Sequence, residues 1–245
     1  MKQYGIIGYP LAHSFSEKYF KEKFLREGIT GCSYEIYPLK SVQELPALLQ
    51  QYPELAGLNI TIPYKQQVLP YLSDKNHIPA GVEACNCIKI KDEKLIGFNT
   101  DTIGFEYALI QQWKPEHSPA LVLGNGGAAA AVKYVLQKLN IPFKTVGREI
   151  RNGVNITFDG LDEKIMAEYR LIINTTPLGT FPNVQEFPDI PYRYLTPAHF
   201  LFDLVYNPAT TVFLHNGAEQ GAIIQNGYTM LAEQAEESWK IWNSA

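Results

Sequence analysis

Ala120-Leu-Val-Leu-Gly124-Asn125-Gly126-Gly127-Ala128-Ala129-Ala-Ala-Val132 is the stretch on which the reading of this chain turns. A short apolar run enters it, a glycine cluster interrupts it, and an alanine-rich helix former leaves it. The order is strand, tight turn, helix. Gly124, Gly126 and Ala129 fall on the positions of the dinucleotide fingerprint G-x-G-x-x-G/A. That pattern asks for a tight turn, a close backbone approach to a pyrophosphate, and close packing of helix on strand. The helix start then offers N–H groups and a partial positive charge to phosphate. A glycine cluster alone is equally an ordinary turn. The texture of both flanks favours a nucleotide.

Downstream, the helix is expected to run to about residue 139 and the next strand to occupy residues 142–146. The side chains just past that strand face the adenosine ribose: an acid suits the free 2′-hydroxyl of NAD, an arginine the 2′-phosphate of NADP. The sequence here is Gly147-Arg148-Glu149. Arg148 points to NADP, whereas Glu149 would repel a phosphate if it turned inward; NADP is the expectation. The segment up to residue 170 is too short for a full crossover helix, and only residues 161–169 have helical character. Strands are expected at 171–174, 199–205 and 221–227, and a helix from Thr211. The closing helix, residues 230–242, carries Leu231, Ala235, Trp239 and Trp242. It has no strand after it and must cover apolar surface elsewhere.

Upstream, residues 4–8 read as a buried strand ending in a glycine turn. His13-Ser14-Phe15-Ser16-Glu17 opens a helix with Tyr19, Phe20, Phe24 and Leu25 on one face and Gly28 as its stop. Ser14 and Glu17 have capping-box spacing, so Ser14 reads first as a cap. The sharper reading seats a carboxylate between the Ser14 and Ser16 hydroxyls at the helix start. A strand at 34–38 and a helix at 41–51 capped by Ser41 come next. In Gly57-Leu-Asn59-Ile-Thr61-Ile-Pro63-Tyr-Lys65, alternation puts Leu58, Ile60 and Ile62 on one face and Asn59 and Thr61 on the other. Lys65 stands at the strand's mouth and opens a helix expected over 65–72. Ligands of open α/β sheets sit at such strand ends, although a solvated edge lysine has the same local pattern. Residues 81–91 and 95–101 read as two strands joined by a turn at 91–94. Asp101 leads into the helix 102–113, either as a plain N-cap, a role Thr102 could also fill, or as a chemical group.

The formal net charge of −4 and the absence of a Lys/Arg run argue against a nucleic-acid partner. Hydrophobic residues make up 46% and charged residues 19%, an ordinary globular balance. No apolar run reaches the roughly 20 residues that span a bilayer. The start of the chain is broken by glycines and Pro10 too early for a signal-peptide core, so a cytoplasmic location is expected. Cys32, Cys85 and Cys87 are an odd set without disulfide or metal spacing, and no metal is expected.

Lys65 and Asp101 are the best candidates for acid–base work, each at the end of a polar-faced strand. Hydride exchange between a nicotinamide and a secondary alcohol needs one further participant that moves the hydroxyl proton. A lysine oriented by a carboxylate does this, and their proton is shared.

Several motifs, in order, resemble those of shikimate dehydrogenases. They are His13-Ser14-Phe-Ser16, Gly57 to Lys65, Asn86, Asn99-Thr100-Asp101 and Gly124-Asn-Gly126-Gly127. Asn174-Thr-Thr-Pro-Leu-Gly179, Asp203-Leu-Val-Tyr206 and Gly227-Tyr-Thr-Met-Leu-Ala-Glu-Gln234 complete the set. The match runs the whole chain. It implies NADPH-dependent reduction of 3-dehydroshikimate to shikimate, in the chorismate route to aromatic amino acids. It implies an α/β fold of two domains: an N-terminal substrate domain (1–101 with 229–245) and a Rossmann-like dinucleotide-binding domain (102–228), the last helix returning to the first. By position, Ser14 and Ser16 hold the substrate carboxylate, and Thr61, Asn86, Tyr206 and Gln234 bind around the ring. Lys65 and Asp101 are the catalytic pair. Gly124, Asn125, Gly126, Gly127 and Ala128 cradle the pyrophosphate, Arg148 meets the 2′-phosphate, and Leu204 and Gly227 lie near the nicotinamide. The implied partner is a small molecule, with no nucleic acid or membrane, and the protein is a monomer or homodimer. Three departures stand out: Glu149 where the family commonly has threonine after Asn-Arg, Asn125 where a small residue is usual, and the shortened segment after Arg148. The rival readings are a quinate or quinate/shikimate dehydrogenase using NAD, and a non-catalytic sensor of a nucleotide or carboxylate. Paired serines at 14 and 16 with Arg148 speak against the first; a sensor has no need of both Lys65 and Asp101.

Overall fold

The computed structural model describes residues 1–11, 14–113 and 119–244, so His13 of the first motif lies outside the described residues. The chain divides into two compact units, Met1–Ile103 with Ala232–Ala245, and Gly104–Leu231.

The first unit contains β1 (Lys2–Gly8), α1 (Phe15–Arg26), β2 (Cys32–Pro38), α2 (Leu45–Gln51), β3 (Leu55–Ile60), α3 (Tyr64–Gln67), β4 (Asp74–His77), β5 (Cys87–Lys91) and β6 (Lys94–Phe98), and α4 (Asp101–Ile110) begins in it. The sheet order is β2-β1-β3-β5-β6-β4. β1 pairs in parallel with β2 and β3, while β5 runs antiparallel to both β3 and β6. Alternation along the strands sorts side chains into two cores. Ile7, Leu58 and Ile60 pack with Leu45, Leu48 and Tyr64 on one face. Tyr4 and Ile6 pack with Phe20, Phe24, Ala235 and Trp242 on the other, beneath α1 and the C-terminal half of α8 (Tyr228–Asn243). Gly57 is small for a reason: a Cβ there would stand 2.3 Å from Trp242 Nε1. The indole N–H donates to Ile88 O at 2.9 Å.

Local differences from the sequence reading have local causes. Ser41 makes no capping bond; a 3₁₀ turn over Val42–Glu44 precedes α2, whose first turn takes Pro46. β3 stops at Ile60, so Ile62 is 72% exposed and does not join Leu58 and Ile60. The helix expected over 65–72 is only α3 followed by a 3₁₀ turn, Leu69–Tyr71, because Pro70 supplies no N–H. β4 is polar throughout and carries no strand signal in its sequence.

The second unit contains β7 (Ala120–Leu123), α5 (Gly127–Lys138), β8 (Phe143–Gly147), β9 (Ile156–Thr157), α6 (Glu163–Glu168), β10 (Leu171–Asn174), β11 (Phe200–Asp203), α7 (Val212–Glu219) and β12 (Ile223–Gln225). Its sheet is parallel throughout, in the order β12-β11-β10-β7-β8-β9. Numbered within the unit this is 3-2-1-4-5-6, the dinucleotide-binding order, whose direction of winding reverses between β7 and β10. β7 and β10 are wholly buried, as strands covered on both faces must be. No described helix is long and apolar enough to cross a membrane.

Candidate active site

Lys65 Nζ lies 2.7 Å from Asp101 Oδ2, with side-chain exposures of only 24% and 13%. The two residues are brought together by backbone on either side of Asn86. Cys85 N donates to Lys65 O at 2.7 Å, Asn86 N to Phe98 O at 3.1 Å, and Ile60 N to Asn86 O at 2.9 Å. Asn86 is thereby fixed at the ends of β3 and β6, and its amide nitrogen donates to Asp101 Oδ1 at 2.9 Å. Asp101 does not cap its own helix. Asn99 does that work, its Oδ1 accepting from Thr102 N at 3.2 Å. The carboxylate is thus left to Lys65 and Asn86.

Behind the pair runs a buried polar chain. Asn86 Oδ1 accepts from Thr100 N at 2.6 Å, and the Thr100 hydroxyl lies 3.3 Å from Ser238 Oγ and 3.4 Å from Gln234 Oε1. Asn59 donates to Ser238 Oγ at 3.0 Å and accepts from the Tyr34 hydroxyl at 2.7 Å. Tyr34 is also hydrogen-bonded to Ser16, and its own ionisation is suppressed mainly by burial. Ser16, Asn86 and Gln234, assigned from the sequence to the substrate, are therefore held in one network with the Lys65–Asp101 pair. Ser14 is the N-cap of α1, its hydroxyl accepting from Ser16 N at 3.2 Å, so the capping reading holds for it. Thr61 continues the β1 ladder, donating from N to Ile7 O at 3.0 Å. Tyr34, Asn59, Thr100 and Ser238 were not among the expected site residues, although Asn59 was placed on the polar face of its strand and Thr100 within the Asn99–Asp101 motif. Ser238 carried a signal: it is one turn after Gln234, on the face that buries Ala235 and Trp242.

Cys85 and Cys87 are fully buried, and burial pushes the Cys85 thiol up to about 12. Among the described residues no group of three or more His, Cys, Asp or Glu could hold a metal ion.

In the second unit, Gly124 has φ +98°, and a Cβ there would come within 2.9 Å of Thr176 Cγ2. Gly126 is the N-cap of α5 without any side-chain capping bond, and neither Gly126 nor Gly127 has an atom within 4 Å of where a Cβ would sit. Backbone N–H groups at a helix start with open space before them are what a pyrophosphate requires. Ala128 follows in the first turn of α5. Arg148 is exposed just after β8, and Glu149 is paired with Arg151 at 3.3 Å. That exposed ion pair is absent from the sequence reading, and it sets a cation beside Glu149. Leu204 N donates to Asn174 O at 3.0 Å. Gly227 packs directly on Leu204, whose carbonyl oxygen would lie 2.1 Å from any Cβ. Tyr206 follows on the same loop and is exposed.

The family model described as shikimate dehydrogenase substrate binding domain matches residues 6–88. A shikimate dehydrogenase (NADP(+)) of Staphylococcus aureus is 35% identical over 254 residues, spanning 99% of this chain and 92% of that one. This chain belongs to the shikimate dehydrogenase family. Among solved members, a shikimate 5-dehydrogenase of Thermus thermophilus in complex with NADP(H) and shikimate superposes with a TM-score of 0.86 at 28% identity, covering 99% of this chain and 94% of that one. A quinate dehydrogenase of Corynebacterium glutamicum in complex with NAD gives 0.85 at 25% identity, covering 99% and 93%. Structural superposition alone does not separate the two acids or the two cofactors, whereas the relatives of 30–35% identity over nearly the whole chain are NADP(+) shikimate dehydrogenases.

Proposed function

We propose that this chain is an NADP-dependent shikimate dehydrogenase, catalysing the reversible reduction of 3-dehydroshikimate to shikimate in the route to aromatic amino acids. The observation that carries the reading is the Lys65–Asp101 pair, held at 2.7 Å and partly buried in a chain with the dinucleotide-binding strand order. When bound, NADPH supplies the hydride. The residues of this chain that would hold it are the Gly124–Ala128 segment for the pyrophosphate, Arg148 for the 2′-phosphate, and Leu204 with Gly227 for the nicotinamide.

Lys65 is the proton donor to the carbonyl oxygen in reduction and the acceptor in oxidation. Asp101 orients it and balances its charge, and Asn86 keeps the carboxylate from rotating away. Such a positioned acid–base group contributes about 10²–10⁴ in rate. The hydroxyls of Ser14 and Ser16, at the start of a 12-residue helix, are assigned to the substrate carboxylate. Thr61, Asn86, Gln234 and Tyr206 are assigned to the ring and its hydroxyls. A cytoplasmic location and a monomeric or homodimeric state accompany this reading.

Glu149 supports a second reading, oxidation of quinate with NAD, since an acid beside the ribose suits a free 2′-hydroxyl. The Glu149–Arg151 pair weighs against it. The deciding assay offers shikimate and quinate, each with NADP+ and with NAD+, and follows absorbance of the reduced cofactor. Preferential turnover of shikimate with NADP+ is expected. Turnover of neither acid with either cofactor overturns the enzymatic reading in favour of a sensor.

A further inference from the structure

We propose that Lys133 is an additional cofactor ligand, sharing the 2′-phosphate of NADP with Arg148, and that Asn125 holds it in place. This rests on reading the second unit as the NADP-binding domain. Lys133 lies on α5, between one and two turns past Gly127, and side chains of a helix lean toward its N-terminus. Its ammonium donates to Asn125 Oδ1. The Asn125 amide nitrogen in turn donates to Asn152 O. The variable position of the glycine loop is thus tied on one side to a cation and on the other to the loop that carries Arg148.

The charge balance points to an anion. Among the described residues Lys133 has Asn125 as its hydrogen-bonding partner and no carboxylate. Burial lowers its pKa with no neighbouring charge to counter the effect. A partly exposed ammonium whose protein partner is a neutral amide keeps donors free for an anion, and a phosphate would form the charge-assisted bond that Asn125 cannot. Glu149, the acid of this region, is already engaged by Arg151. Asn125 is also what the departure from a small residue accomplishes. A glycine or alanine there could neither receive Lys133 nor reach Asn152.

The test is calorimetric titration of NADP+ and NAD+ into wild type, Lys133→Met and Asn125→Ala, with thermal unfolding of each as a folding check. Lys133→Met is expected to weaken NADP+ binding about tenfold, the scale of one charge-assisted hydrogen bond, and NAD+ less than twofold. Asn125→Ala should weaken NADP+ in the same selective way, and Lys133→Arg should retain most of the affinity. Equal loss for both dinucleotides, or none for NADP+, overturns the proposal while leaving the domain's function intact. A wild-type protein that binds neither dinucleotide overturns both.

Discussion

Asn86 Nδ2 donates to Asp101 Oδ1 at 2.9 Å, on the carboxylate oxygen opposite the one that meets Lys65. Asp101 is therefore gripped at both oxygens, by a neutral donor and by an ammonium, and Lys65 is aimed rather than merely neutralised. Removing the ammonium takes away the proton relay and leaves Asn86, Thr100 and Gln234 in place. Lys65→Ala is accordingly expected to lower kcat by about 10²–10⁴ while the shikimate KM changes only a few-fold. Steady-state kinetics at saturating NADP+ check this. A near-native kcat would remove Lys65 from the proton path.

Asp203 is fully buried at the end of β11, and burial raises its pKa from 3.8 to about 6 against hydrogen bonds donated by Thr211, Val205 and Asn174. Its folded pKa exceeds its unfolded one, so the folded state binds more protons between the two values. The associated stability is fully present below about pH 4 and is lost as pH rises through 6. About two pKa units correspond to roughly 3 kcal/mol across that window. Urea unfolding from pH 4 to 7 should show this slope in wild type and its loss in Asp203→Asn. Identical pH profiles for the two proteins would exclude Asp203 as its source.

The second unit was legible in the sequence because its determinants are local. Buried parallel strands read as continuous apolar runs, and Gly124 to Ala129 sit within one short stretch. The Lys65–Asp101 pair was legible for a related reason: each residue follows shortly after a strand, Lys65 after β3 and Asp101 after β6. The network behind it was not. Tyr34, Asn59, Thr100 and Ser238 come from four distant segments, and each looks like an ordinary strand, cap or helix residue until register brings them together. Asp101 shows the ambiguity directly. Asn99, Asp101 and Thr102 all suit a helix start, and only the hydrogen bond from Thr102 N to Asn99 decides which one caps. Glu149 was equally undecidable, because its partner Arg151 lies in an irregular loop with no period to read.

Gly124 tests whether the glycine loop serves the cofactor rather than the fold alone. Its φ of +98° disfavours any side chain, and a Cβ would also lie 3.0 Å from Thr175 Oγ1. Relief requires the loop to shift relative to the end of β10, carrying the open N–H groups of Gly126 and Gly127 with it. Gly124→Ala is expected to weaken NADP+ binding about tenfold or more, with shikimate binding to the cofactor-free protein unchanged. Calorimetric titration of each ligand separates the two effects. Unchanged NADP+ affinity would show that the loop does not hold the dinucleotide.

Gly57 and Trp242 form a size-matched pair that anchors the closing helix. Trp242 is 3% exposed, stacks on Tyr4 with centroids 4.9 Å apart, and fills the space that a side chain at 57 would need. Trp242→Ala is expected to cost about 3–5 kcal/mol, the range for deleting a buried aromatic. Gly57→Ala alone should also destabilise, because the added methyl group collides with a rigid indole that donates to Ile88 O. In the Trp242→Ala background the collision is gone and the methyl group enters a cavity, so the second substitution should cost almost nothing. Denaturant unfolding of the four proteins gives the coupling directly. Because α8 also carries Gln234 and Ser238, Trp242→Ala should raise the shikimate KM, and a KM unchanged despite the lost stability would show that the helix end does not position those residues.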